Sequence, residues 1–177
     1  MVVFFDIETT GLNPYEGQVI LVGMKREGKI RQWKIWEIGD EGQLIMDVIE
    51  EFTKIDLHDT ITGFNSAKFD LHFLSTRLSI LGKMNSEIWT ILHDRKWFDL
   101  YQFLGNDFQS LRLWLGKFEV RREYPELNGK DVPGYFARKE YDKIVKHNED
   151  DLNTSEELVS KLRKAKEVRV PDLLHLE

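Results

Sequence analysis

Asp6 and Glu8 stand one residue apart, between the apolar run Val2-Val3-Phe4-Phe5 and a Thr9-Thr10-Gly11 break. On a strand, alternate side chains leave the same face, so both carboxylates point one way and Phe5 and Ile7 the other. Carboxylates held roughly 6–7 Å apart at the end of a buried strand repel each other and lose hydration. A divalent cation held between them removes both costs. A further acid, Asp70, ends the stretch Asn65-Ser66-Ala67-Lys68-Phe69-Asp70, and the run His147-Asn148-Glu149-Asp150-Asp151 lies far downstream. His147 and Asp151 are four apart, so on a helix they share a face, while Asp150 points roughly 100° away. Each group alone has a plain explanation. The first could be a solvated strand end, and the last an ordinary His–Asp pair on a polar helix face. Asp70 in a first helical turn would complement the helix dipole, worth about 0.3–1 kcal/mol. Their meaning depends on whether the fold brings them together.

The surrounding pattern supplies elements that could do so. Val2 to Phe5 is a β-branched and aromatic run, as expected of a strand buried on both faces. After the turn at Gly11-Leu12-Asn13-Pro14, Gln18–Lys25 and Ile30–Trp36 read as two more strands around a Glu27-Gly28-Lys29 turn, forming an antiparallel meander with the first. Leu44, Ile45, Val48, Ile49 and Phe52 recur at helical spacing within 42–52. Thr60–Asn65 is a short strand leading directly into a helix that carries Phe69, Phe73, Leu74, Leu78 and Leu81, with Gly82 as its stop. Asp70 falls in the first turn of that helix, near the end of the preceding strand, where open α/β sheets place ligands. Trp97–Leu104 is apolar except for Asp99 and the polar Gln102, 110–115 is a short helix, and 121–135, with two prolines and two glycines, is a long loop. A last helical region is expected from Ala137, bent near 147–151 and ended by Pro171. Meander, then alternating strands and helices, then helices: the order fits an α/β fold with a mixed central sheet flanked by helices on both faces.

The chain has 177 residues, a one-domain length, with 41% apolar and 12% aromatic content. Zero cysteines exclude disulfides, thiol catalysis and Cys-based zinc sites. No apolar run is long enough to span a membrane and no secretion leader is visible, so a cytoplasmic location is expected. The net charge of −6 argues against coating nucleic acid by bulk positive charge, although it suits an acidic metal site. Basic residues cluster in 112–122 and 161–169, either as phosphate tracks or as solvated helix faces.

Taken together, the three acidic elements resemble the DEDD superfamily of 3′→5′ exonucleases, the proofreading group on a ribonuclease H-like fold. The first motif of that family, D-x-E-T-T/S-G, stands here as Asp6-Ile7-Glu8-Thr9-Thr10-Gly11. The second, N-x-x-x-F/Y-D, stands as Asn65-Ser66-Ala67-Lys68-Phe69-Asp70, and the third ends at Asp151 on the last large helix. The resemblance runs from residue 6 to 151 and so implies an exonuclease domain over 1–166, with 167–177 as a tail that packs on the core or on a second copy of the chain. One departure bears on mechanism. The third motif has the spacing of the family's Tyr class but places His147 there, and Tyr141 is too far upstream to substitute. This His-Asn-x-x-Asp form resembles a prokaryotic branch of the superfamily. A free His titrates near pH ~6.5 and a Tyr near ~10, so His147 is the expected general base near neutral pH.

The resemblance implies two Mg²⁺ or Mn²⁺ ions held by Asp6, Glu8, Asp70 and Asp151. Asp6 would bridge both, Glu8 and Asp70 would lie on the nucleophile and leaving-group sides, and Asp151 would complete the set. One ion would activate a water and the other stabilise the leaving 3′ oxygen, giving nucleoside 5′-monophosphates. Thr9 and Asn65 are then candidates for holding the terminal nucleotide, and Leu12 and Phe69 for wedging or stacking on its base. Asp99 could be either a further site acid or a structural cap. The expected partners are 3′ ends of single-stranded nucleic acid, DNA favoured over RNA, in a repair-type role, with a homo-oligomer made plausible by the leucine-rich tail. Three alternatives stay open: an inactive binding or scaffold module on the same fold, a ribonuclease H or resolvase-type endonuclease, and a metal-dependent phosphatase.

Overall fold

The computed structural model describes residues 1–105 and 110–164. The strands and helices alternate in chain order. They are β1 (Val2–Thr9), β2 (Val19–Arg26), β3 (Lys29–Lys34), α1 (Ile35–Ile38), α2 (Glu41–Thr53), β4 (Thr60–Gly63), α3 (Asp70–Ile80) and α4 (Ser86–His93). Then follow β5 (Lys96–Asp99), α5 (Leu100–Phe103), α6 (Leu111–Lys117), α7 (Val132–Ala137) and α8 (Tyr141–Lys164). Among the described residues the five strands form one sheet in the order β3-β2-β1-β4-β5. β1–β2 and β2–β3 are antiparallel, whereas β1–β4 and β4–β5 are parallel. This is the expected mixed sheet, with β1 and its acids at the centre.

Side-chain alternation along β1 divides the core into two layers. Val3, Phe5 and Ile7 pack with the apolar faces of α2, α3 and α4, while Phe4 packs with Leu152, Leu158, Val159 and Leu162 of α8 on the other face. Helices therefore cover both faces of the sheet. Between Glu8 and Thr9 the β1–β2 register shifts, with Glu8 opposite Leu21 and Thr9 opposite Val19. The extra residue, Ile20, joins Leu21 in a third cluster with Val132, Tyr135 and Ile144 of α7 and α8. Bulges of this kind re-aim side chains beside functional clefts. On the opposite side of the sheet, Glu41 at the start of α2 ties three segments together. Its carboxylate accepts from the Val19 N–H (2.7 Å) and pairs in two-pronged fashion with Arg77 of α3, which also donates to Pro14 O (3.0 Å).

Several elements differ from the sequence reading. The third strand ends at Lys34 instead of Trp36, because Ile35–Ile38 turns into a single helical turn closed by Gly39, whose φ is +86° and whose N–H donates to Ile35 O. α4 was not anticipated: Asn85 caps it by accepting from the Ile88 N–H, but the helix has only two buried residues, too few to show a stripe. The 121–135 segment is not wholly loop, since a 3₁₀ turn at Gly129–Asp131 runs into α7 with Pro133 in its first turn. Ala137 ends α7, and α8 runs from Tyr141 to Lys164 as one helical element through 147–151. Tyr141 stacks on Trp36 at 4.4 Å. The expectations for 167–177 lie outside the described residues. Among the described residues, no helix is long and apolar enough to cross a membrane.

Candidate active site

The three acidic elements meet at the end of β1. Asp6 and Glu8 leave its α8-side face, Asp70 opens α3, and His147 and Asp151 project from α8 into the same cleft of about 180 Å³. Asp70 Oδ1 accepts the Ile7 N–H at 2.9 Å, so the first residue of α3 is bonded to the backbone between the first two acids. His147 Nε2 lies 3.9 Å from Glu8 Oε1 and 3.8 Å from Asp151 Oδ2. Thr9, Leu12 and Phe69 also line the cleft. Leu12 stands out at its mouth, 84% exposed. Thr9 is buried and its hydroxyl donates to Gly11 O at 2.7 Å.

Asn65 is not in the cleft lining. It adopts φ +63°, where its carbonyl accepts the Phe69 N–H, and it shapes the turn ahead of Asp70. That turn is held by Asp99. The buried Asp99 carboxylate accepts the backbone N–H groups of Asn65 (3.0 Å) and Ala67 (3.1 Å) and caps α5 through the Tyr101 N–H (2.9 Å). Asp99 is thus a cap that also positions the second motif.

Burial and mutual repulsion disturb the acids strongly. Burial first, then the charges of Asp70 and Asp151, hold the Asp6 carboxyl well above its ordinary range. Glu8 is raised likewise, by burial and then by Asp6, Asp151 and Asp70. Asp70 is pushed up to about 8 by burial, against the lowering effect of the Ile7 N–H. Burial also raises Asp151, opposed by His147 and Arg122, and lowers His147. Among the described residues, Glu8 Oε1 is buried with no hydrogen-bond partner. An orphaned carboxylate oxygen beside three other acids, all offering hard oxygen donors, fits a divalent cation of the Mg²⁺ or Mn²⁺ type. Among the described residues no three donors already stand at the spacing of a closed metal cage. The fit is one of donor chemistry and charge.

Three further neighbours organise the cluster, and of these only Asn148 stands within a motif. Gly23 of β2 lies across from Asp6 on one side and Gln32 on the other. Asn148 lies flat over it, donating to Asp6 Oδ2 at 2.7 Å and accepting from Gln32 Nε2 at 2.9 Å. A Cβ at Gly23 would come within 2.0 Å of Asn148 Oδ1, so only glycine leaves room for this bridge. Arg122, from the 112–122 basic run, turns inward to pair with Asp150 and Asp151. Gly23 and Arg122 have no fixed spacing from the acids, whereas Asn148 stands three residues before Asp151 on α8. The only sequence signals were the basic run and the Asn beside His147. A larger cleft of about 760 Å³ lies around Met1 and Arg163, where Glu156 is neutralised by Lys25, and it gathers none of these groups.

Residues 3–163 match a family model described as RNase_H superfamily. A curated relative, the uncharacterized protein MJ0365 of Methanocaldococcus jannaschii, is 29% identical over 86% of this chain and 90% of its own length. Among solved structures, the family B DNA polymerase of Pyrobaculum calidifontis superposes with a TM-score of 0.73 at 21% identity, covering 92% of this chain. A product-bound exonuclease I superposes at 0.53 with 11% identity over 75% of this chain. The chain spans 24% of the polymerase and 41% of the exonuclease, and the likeness to both is one of fold.

Proposed function

Because the chain belongs to the RNase H superfamily, we propose that it is a metal-dependent 3′→5′ exonuclease of the DEDD type, in the branch with His at the third motif. Its substrate is single-stranded nucleic acid, DNA ahead of RNA, and its products are nucleoside 5′-monophosphates. The observation that carries this reading is the convergence of Asp6, Glu8, Asp70 and Asp151, from β1, α3 and α8, on one cleft around the unpartnered Glu8 Oε1. Such a cluster is unfavourable for folding unless something cationic completes it.

Asp6, Glu8, Asp70 and Asp151 are the residues that would hold two divalent ions. When bound, the ions supply a more acidic water and neutralise charge on the scissile phosphate and the leaving oxygen. The protein's own part is positional. Asn148 holds the Asp6 carboxylate, the Ile7 N–H holds Asp70, and His147 presents Nε2 between Glu8 and Asp151. Phe69 and the exposed Leu12 offer apolar surface to a terminal base, and Thr9 a polar floor. The narrow cleft and the acidic net charge favour a single strand or frayed end over a duplex lying across the surface.

The test is digestion of 5′-labelled single-stranded DNA and its RNA counterpart with Mg²⁺, Mn²⁺ or EDTA. A metal-dependent ladder shrinking from the 3′ end is expected, faster on DNA, and absent in Asp6→Ala. A single mid-chain cut would favour the endonuclease alternative. Binding without cleavage would favour the inactive module.

A further inference from the structure

We infer that Arg122, which lies outside all three motifs, is a positioning residue that fixes the proton of His147 on Nε2, so that His147 meets the reacting groups as a hydrogen-bond donor and not as the general base. The donor role rests on the nuclease reading, whereas the tautomer does not.

The argument is one of donors and acceptors. Arg122 Nε donates to Asp150 Oδ2 at 2.8 Å, and Arg122 Nη2 both donates to Asp151 Oδ1 and stands 3.1 Å from His147 Nδ1. A guanidinium has donors only and does not lose its proton in a protein. Nδ1 must therefore be the accepting nitrogen, and the single proton of the neutral ring sits on Nε2. Nε2 faces Glu8 Oε1 at 3.9 Å and Asp151 Oδ2 at 3.8 Å, too far for direct hydrogen bonds. Its N–H thus points into the space where a water or a phosphate oxygen would sit. For Nε2 to accept a proton, Nδ1 would have to carry one, setting two donors against each other at 3.1 Å.

The guanidinium is also built in. Asp150 is 2% exposed, and its oxygens accept the Glu123 N–H (3.0 Å) and the Tyr124 N–H (3.3 Å) as well as Arg122. Swinging Arg122 away would leave a buried carboxylate without its counter-charge, which is strongly unfavourable. The arrangement explains why Asp150, which points away from the cleft, is buried at all: it anchors the residue that orients Asp151 and His147. In the hydrolysis the water oxygen bonds to phosphorus as the bond to the 3′ oxygen breaks. The water's proton passes to bulk water at the open mouth, and the 3′ oxygen takes one from solvent. His147 contributes a hydrogen bond to the phosphate oxygen or the attacking water.

Nitrogen-15 NMR of the uniformly labelled, EDTA-treated protein reads the tautomer directly. The chain has five His, and the His147 signals are those lost in His147→Gln. The expected result is a protonated-type Nε2 and an acceptor-type Nδ1 as the sole tautomer, turning into a mixture in Arg122→Lys, which keeps the charge but loses the fork. A proton on Nδ1 in the wild type, or an unchanged single tautomer in Arg122→Lys, would overturn the assignment. On labelled strands, His147→Ala is expected to lose about 100-fold or more in rate. His147→Gln, whose amide restores a donor near Nε2, should stay within about tenfold of wild type, and equal losses in the two would overturn the donor role. A wild type that cleaves nothing would remove the nuclease reading, while the spectra alone would still decide the tautomer.

Discussion

The acid cluster reverses the usual pH response of a carboxylate. Asp70 has an ordinary value of 3.8 and is raised to about 8 in the folded chain, chiefly by burial. Between these values the native state holds a proton that the unfolded state has released, so stability falls as pH rises. A salt-bridged carboxylate would do the opposite. In EDTA, the melting temperature of the wild type is expected to decline from pH 5 to pH 8, and Asp70→Asn should flatten that decline while keeping the Ile7 contact through its amide oxygen. Thermal melts in half-unit pH steps check this, and parallel slopes for the two proteins would refute it. Asp70, with Asp6, Glu8 and Asp151, was legible in the sequence because a strand's alternation and a helix's four-residue repeat fix where such side chains point. Gly23 and Arg122 were not. Their importance depends on what lies across a sheet or at the end of a loop, and no local spacing encodes that. Asn65 shows the reverse case, a motif residue whose observed work is to bend the backbone at φ +63°.

At the scale of elements, the site depends on α8 lying close over the antiparallel part of the sheet. Gly23 sets that closeness, since Asn148 occupies the place of its missing side chain. Gly23→Ala must therefore push α8 outward or rotate Asn148 off Asp6. Overpacking of this kind costs roughly 1–3 kcal/mol, which for a chain of this size is a fall of about 3–10 °C in melting temperature. The loss should be accompanied by weaker Mn²⁺ binding in titration calorimetry, because Asp6 loses its partner. A variant that melts like wild type and binds Mn²⁺ equally would show that the bridge is unimportant. The longer elements were readable: β1 and β2 are buried on both faces and read as apolar runs, while α2 and α3 each bury one apolar face. The short ones were not. α1, α5 and α7 run four to six residues, below the length at which periodicity can speak, and are held by Gly39, Asp99 and tertiary packing. The basic run at 112–122 fared similarly, since composition could not say that Arg122 faces inward while its neighbours on α6 face out.

Across the whole molecule, the acids join parts of the chain that lie in different layers of the fold. Asp6 and Glu8 belong to the central strand, Asp70 to the helix on one face and Asp151 to the helix on the other. A cation shared among them would link both helical layers through β1 and relieve the repulsion that raises their proton affinities. Binding only the native state stabilises it by about 2.7 kcal/mol when the ligand is at 100 times its dissociation constant, or roughly 5–10 °C here. Saturating Mn²⁺ is therefore expected to raise the melting temperature by about that much at pH 8. At pH 5 the rise should be much smaller, because the cation must first displace protons from carboxyls that burial keeps protonated. EDTA should reverse the gain and Asp6→Asn should abolish it, with the metal-free melt of that variant at or above wild type, since one buried charge has gone. Melts at both pH values, with and without Mn²⁺, separate this from a general salt effect. A rise of equal size at pH 5 and pH 8, or one that persists in Asp6→Asn, would place the cation away from these four carboxylates.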